Sequence, residues 1–188
     1  MYLGILWTVY YALHSYFASE RVKEFIRHKL RTIYGYYRLL YSLFAAINFF
    51  LLAWLHLLVQ TPELFSPSIA ISIVGVGLIA AGALATVVAL KSYKTRFWYR
   101  NQDSQSEEKL IRTGLNAYVR HPLYFGALLI VLGVFLVSPQ LKNIVLALIT
   151  FAYIYIGASL EERKLIGRFG DAYSQYRREV KMLIPFVF

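Results

Sequence analysis

Apolar positions in this chain come in long unbroken blocks rather than in alternation with polar ones. Met1 to Ala18, Tyr34 to Val59, Ser68 to Leu90, Pro122 to Val137 and Asn143 to Leu160 are each nearly free of charge. A helix crossing the hydrocarbon layer needs about 20 apolar residues, so the pattern predicts five membrane spans. The first block has no basic segment before it and contains Tyr2, Trp7, Tyr10, Tyr11 and His14, which favours a retained span over a cleaved signal peptide. Gln60-Thr61-Pro62-Glu63 and Ser138-Pro139-Gln140 are tight polar breaks, whereas 91–121 is a longer hydrophilic stretch. After Leu160 the pattern changes: Leu165, Phe169, Tyr173, Tyr176 and Val180 recur at helical steps between charged residues. That periodicity predicts a C-terminal amphipathic helix at the lipid surface, within a tail of 161–188. Folded back as a lid over a cavity between the last two spans, it would bend at Gly167 or Gly170.

Composition agrees with one all-α membrane domain over 1–188. Of the 188 residues 59% are apolar and 16% charged, against about 25% charged in soluble domains. The net charge of +10 changes the picture through its distribution. Five Lys or Arg follow the first block, none separates the second and third, seven precede the fourth, Lys142 alone lies between the last two, and six follow the fifth. By the positive-inside rule the N-terminus is outside, and the loop after the first span, the 91–121 segment and the tail are cytoplasmic. The basic residues are scattered between apolar blocks, so nucleic acid is a poor partner and anionic membrane lipid a good one. With no cysteine, thiolate metal sites, disulfides and Cys nucleophiles are excluded; no metal is expected.

Two polar clusters carry candidate chemistry. In Arg120-His121-Pro122-Leu123-Tyr124-Phe125-Gly126, Pro122 suits the first turn of a helix and leaves neighbouring N–H groups facing the cytoplasm. Glu161-Glu162, read as the end of the fifth span, opposes the helix dipole and calls for a cation. Arg163, Lys164 and Arg168 could supply it locally; a cationic or hydroxyl-bearing ligand is the alternative. Taken singly, Arg120 and His121 also fit ordinary interfacial anchors. Of the polar residues within spans, Asn48 reads as interhelical glue, His56 as interfacial and His14 as the best functional candidate.

The run Gly114-Leu-Asn-Ala-Tyr-Val-Arg-His-Pro-Leu-Tyr-Phe-Gly126, followed by Glu161-Glu162-Arg163-Lys164-Leu165, Phe169-Gly170, Tyr173, Tyr176 and Ile184-Pro185, resembles the isoprenylcysteine carboxyl methyltransferase superfamily. That superfamily includes phospholipid N-methyltransferases and methanethiol S-methyltransferases, and His14-Ser15 with the basic stretch after it is similar to the methanethiol-methylating and NnrU-like members. The resemblance implies S-adenosylmethionine as cofactor, in a pocket between the last two spans and the C-terminal segment. His121, Pro122, Tyr124, Gly126, Glu161, Glu162 and Tyr173 match the cofactor-binding positions; Glu162, Arg168 and Arg120 are the implied catalytic candidates. Asn116 departs from the pattern, which commonly has an aromatic there. The implied acceptor is a carboxylate or thiol on an apolar or lipidated small molecule, arriving from the membrane or the cytoplasm. The economy of the chain suggests a bacterial inner membrane with the site facing the cytoplasm. Two rivals stand: an NADPH-dependent sterol or lipid reductase, and a non-enzymatic membrane accessory protein.

Overall fold

A computed structural model of the chain describes residues 2–97, 110–185 and 187, so 98–109 of the expected cytoplasmic segment lie outside the described residues. The described residues form seven α-helices: α1 Tyr2–Ala18, α2 Glu20–Lys29, α3 Arg31–Leu58, α4 Ile69–Phe97, α5 Pro122–Val137, α6 Leu141–Phe169 and α7 Asp171–Glu179. A short 3-10 turn at Gly114–Ala117 precedes α5. Among the described residues three stretches are long and apolar enough to cross a membrane, Tyr34–Leu58, Ile69–Ser92 and Leu141–Phe169, while α5 is a shorter apolar helix.

Side by side, the long helices run in the order α3, α1, α6, α5, α4. Lipid tails are as apolar as leucine, so helices in a bilayer are held by close backbone approach and polar contacts rather than by oil-water partition. α4 and α5 use the first device. A Cβ on Gly82 would lie 2.6 Å from the Gly126 carbonyl oxygen, and one on Gly133 would lie 2.5 Å from the Gly75 oxygen. α1 uses the second. Tyr10 Oη donates to Ala45 O at 3.3 Å and the Tyr37 hydroxyl to Phe17 O at 2.7 Å, joining α1 to α3. Tyr11 stacks on Tyr153 at 4.3 Å and shares a 2.8 Å hydrogen bond with Thr150, joining α1 to α6. Tyr10, Tyr11 and Tyr37 are therefore interhelical fasteners.

The end of the bundle remote from the acidic pair is sealed by buried polar groups. Trp7 donates to His56 at 3.1 Å, His56 Nε2 lies 2.8 Å from Asn143 Oδ1, and Lys142 Nζ donates to the carbonyls of His56 and Val59 at 3.0 and 2.6 Å. His56 is thus buried rather than interfacial. Asn48 donates to Phe44 O in its own helix at 2.8 Å, so this amide N–H bonds within α3 rather than across helices.

Other boundaries also differ from the sequence expectation. The basic stretch after the first block is itself a helix, α2, N-capped by Ser19. α6 does not stop near Leu160 but continues two further turns, because Glu161 to Ile166 are adequate helix formers and Gly167 alone costs only about 1 kcal/mol. It ends at Gly170, whose φ of +54° lies in the region that glycine enters without a Cβ clash. The chain then reverses into α7.

Candidate functional site

The continuation of α6 moves Glu161 and Glu162 from a helix terminus to its interior, where their cations come from elsewhere. Pro122 opens α5 with His121 at the N-cap position. Just before it, the backbone pairs with the C-terminal segment: Arg120 N–H donates to Lys181 O at 2.9 Å and His121 N–H to Met182 O at 3.2 Å. Leu183, fully buried, fills a core with Ile154 and Ala158 of α6, and the Tyr176 hydroxyl donates to Asn116 O at 2.5 Å. α5, α6 and the segment after α7 therefore meet at one point.

At that point Arg120 Nε lies 2.6 Å from Glu162 Oε1, with both side chains less than a tenth exposed. Arg120 also donates to the carbonyls of Arg177, at 3.1 Å, and Val180. Arg177 Nε approaches the other Glu162 oxygen at 3.1 Å. Both Glu162 oxygens thus face guanidinium groups from 42 residues upstream and 15 downstream, and neither comes from the neighbouring Arg163, Lys164 or Arg168. The Arg168 guanidinium instead sits 5.8 Å from the Phe169 ring.

His121 lies between the two acids. Its Nδ1 is 3.6 Å from Glu161 Oε2 and its Nε2 is 3.5 Å from Glu162 Oε1. Among the described residues, neither Nε2, which is buried beside the Glu162 carboxylate, nor the buried Tyr173 hydroxyl makes a well-formed hydrogen bond. Tyr173 is 1% exposed; burial, and after it the Glu162 carboxylate, raises its pKa above the phenol's ordinary 10.0, so it stays a donor. Tyr124 stacks on His121 with centroids 5.4 Å apart and donates to Glu161 Oε2 at 3.2 Å. Glu161 is half-exposed.

Most of the sequence candidates are brought together: Arg120, His121, Tyr124, Glu161, Glu162 and Tyr173 form one cluster with Pro122 at its base. Gly126 points away from it, with the space of its missing Cβ taken by Thr86 and Gly82 of α4. Asn116 is buried, its amide donating to Arg120 O at 3.3 Å and its carbonyl receiving Tyr176, so it braces the turn that carries Arg120. Arg177 was not singled out by sequence; its one signal is that it falls a helical turn after Tyr173. His14 is elsewhere. Its ring Nδ1 lies 2.9 Å from the Tyr41 hydroxyl in a cleft of about 290 Å³ between α1 and α3, which the Glu162 cluster does not line.

The cluster combines an exposed carboxylate, an imidazole and a phenol with unmet hydrogen-bond capacity, and a neutralised buried acid that locks the C-terminal segment in place. Buried polar atoms without partners cost about 1–3 kcal/mol each, so their presence together favours a polar ligand here.

The model of the phospholipid methyltransferase family matches residues 70–172. Methanethiol S-methyltransferase 1 of Bradyrhizobium diazoefficiens is 28% identical over 195 residues, covering 96% of this chain and 65% of its own length. Methanethiol S-methyltransferase of Crocosphaera subtropica is 44% identical over 72 residues, 37% of this chain and 27% of the relative. Protein-S-isoprenylcysteine O-methyltransferase of Schizosaccharomyces pombe is 34% identical over 89 residues, 47% of this chain and 36% of the relative. The chain therefore spans less than two thirds of the length of each of these relatives. No solved structure matches.

Proposed function

Because the chain belongs to the phospholipid methyltransferase family, we propose that it is an integral membrane methyltransferase that uses S-adenosylmethionine and works at the His121–Glu161–Glu162 cluster. The observation that carries the reading is the pair of unpartnered buried groups, His121 Nε2 and Tyr173 Oη, converging beside two carboxylates in and next to the matched region.

S-adenosylmethionine supplies, when bound, an electrophilic methyl group on a sulfonium sulfur. The residues present fit it: Glu161, half-exposed, can accept from ribose hydroxyls or pair with an ammonium, and Tyr173 can donate to a carboxylate or ring nitrogen. Glu162 is engaged by two guanidinium groups and fixes the geometry of the site rather than contacting ligand directly.

A thiol is the acceptor best supported. The relative matched over 96% of the chain is a methanethiol S-methyltransferase, and the isoprenylcysteine O-methyltransferase match covers 47%. A thiol must lose its proton as its sulfur attacks, and the His121 imidazole, set between the two carboxylates, is the group proposed to receive it. With the cofactor bound, its sulfonium methyl would be the group passed to the thiol sulfur, and His121, whose ring nitrogens lie 3.6 Å from Glu161 and 3.5 Å from Glu162, would take the thiol proton between those two acids. For a carboxylate acceptor no proton moves and an arginine orients it.

The five apolar helices α1, α3, α4, α5 and α6 then form the spans, with the N-terminus outside and the cluster on the cytoplasmic side of a bacterial inner membrane. At 1.5 Å per residue the 29 residues of α6 extend about 43 Å, beyond the ~30 Å hydrocarbon layer, so the turns bearing Glu161 and Glu162 can stand in the headgroup region.

The test is calorimetric binding of S-adenosylhomocysteine and, separately, of NADPH to the full chain in detergent. Binding of the first, weakened at least tenfold by Glu161→Gln, is expected. Binding of NADPH alone would move the protein to the reductases, and binding of neither would support a non-enzymatic role.

A further inference from the structure

The helix between the first two apolar blocks presents one row of side chains that neither the bundle nor the active-site cluster uses. In α2, Val22 and Ile26 are half-buried, facing the bundle. Glu20 pairs with Lys23 at 2.8 Å. Arg21, Phe25 and Lys29, four residues apart and so on one face, are all exposed, Phe25 to 60%. The acids Glu20 and Glu24 occupy a separate row, displaced from it by roughly a quarter turn. Leu30, 44% exposed, continues the apolar element past the C-terminus of α2.

A large aromatic ring between two cations, with no acid in the row, is a poor surface to leave in water and a good match to an anionic, partly apolar layer. Position narrows the partner. α2 is joined to α1 through Ser19 alone and to α3 through Leu30 alone, and Arg27 lies 6.0 Å from the ring of Tyr34, where the apolar part of α3 begins. These joints hold α2 at the end of two apolar helices, at headgroup level.

We propose that the Arg21–Phe25–Lys29 row of α2 is a docking surface for anionic phospholipid headgroups, with α2 lying in the membrane plane, the Phe25 ring at the acyl boundary and the flanking cations on phosphates. The proposal requires the chain to be membrane-embedded but not the methyltransferase reading, nor either orientation across the bilayer.

The chain has no cysteine, so a spin label on Phe25→Cys reports one place. In nanodiscs, which expose both faces, collision with oxygen is expected to exceed collision with a water-soluble paramagnetic chelate when phosphatidylglycerol is present. The preference should fall in pure phosphatidylcholine and in a labelled Arg21→Gln, Lys29→Gln variant. At about 1 kcal/mol per cation the double replacement shifts the docked-to-undocked ratio roughly 30-fold. High salt should act in the same direction. Equal chelate access with and without phosphatidylglycerol would overturn the proposal, and so would shielding from both reagents, which would mean that protein covers the row. Arg21 and Lys29 are exposed, so these variants fold.

Discussion

Neutralising Glu162 tests whether this carboxylate holds the C-terminal segment or only awaits a ligand. In Glu162→Gln the Arg120 guanidinium stays in a site where it is 8% exposed, still bound to two backbone carbonyls but without its counter-ion. Removing one partner of a buried pair costs about 3–5 kcal/mol. The glutamine oxygen keeps one acceptor, which favours the lower end, about 3 kcal/mol; the Arg177 contact is 44% exposed on the arginine side and adds at most ~1. The loss falls on the docking of α7 and the segment after it, because Arg120 is what bonds to Arg177 O and Val180 O. That segment carries Arg177, Arg178 and Lys181, so trypsin reads its opening directly. Where opening is fast relative to cleavage, a 3 kcal/mol shift raises the cleavage rate about 150-fold. Glu161→Gln, at a half-exposed position, should change it less than about fivefold. Cleavage of the Glu162→Gln protein within threefold of the parent would refute the locking role and return Glu162 to the ligand contacts.

The same contacts predict other outcomes. Tyr173→Phe removes a buried hydroxyl with no partner, so melting in detergent should be unchanged or higher while S-adenosylhomocysteine binds more weakly; undiminished affinity would remove Tyr173 from the site. Because its pKa is raised in the folded state, Tyr173 stays protonated there while the unfolded chain ionises, so stability is undiminished below the ordinary phenol pKa of 10.0 and falls as pH rises from it towards the raised folded value; the phenylalanine variant should flatten the alkaline slope of a melting-against-pH series. Gly82→Ala places a Cβ 2.6 Å from a backbone oxygen that cannot move without separating α4 from α5, at a cost of about 1–3 kcal/mol or more, whereas Gly77→Ala, with nothing within 4 Å, should be near neutral in the same melts. His56→Leu strands Trp7 Nε1 and Asn143 in the interior and should lower stability by about 1–3 kcal/mol, measured by thermal melting; an unshifted transition would mean that those groups find other partners.

Sequence by itself determined where the apolar helices lie, because a long run nearly free of charge has one stable form in lipid, a helix with its backbone bonds internal. Through the resemblance to a family pattern it also named Arg120, His121, Tyr124, Glu161, Glu162 and Tyr173, which the fold brings into one cluster. It misplaced the acids at a helix end, because the charged residues after Leu160 read as a boundary although their helix propensity carries α6 to Phe169.

Tertiary structure alone decided the neighbours. That α1 lies between α3 and α6 depends on tyrosine hydroxyls reaching particular carbonyls and side chains, which hydropathy does not encode. That Gly126 packs closely against α4 depends on which face of α5 the glycine occupies once Tyr124 faces α6. Arg177 joined the site only because Gly170 turns the chain back and Leu183 anchors the segment after α7, bringing residues 15 and 42 positions from Glu162 onto its two oxygens. Helix formation is local and is written in consecutive residues, whereas the pairing of buried charges is set by which surfaces meet after the helices have formed.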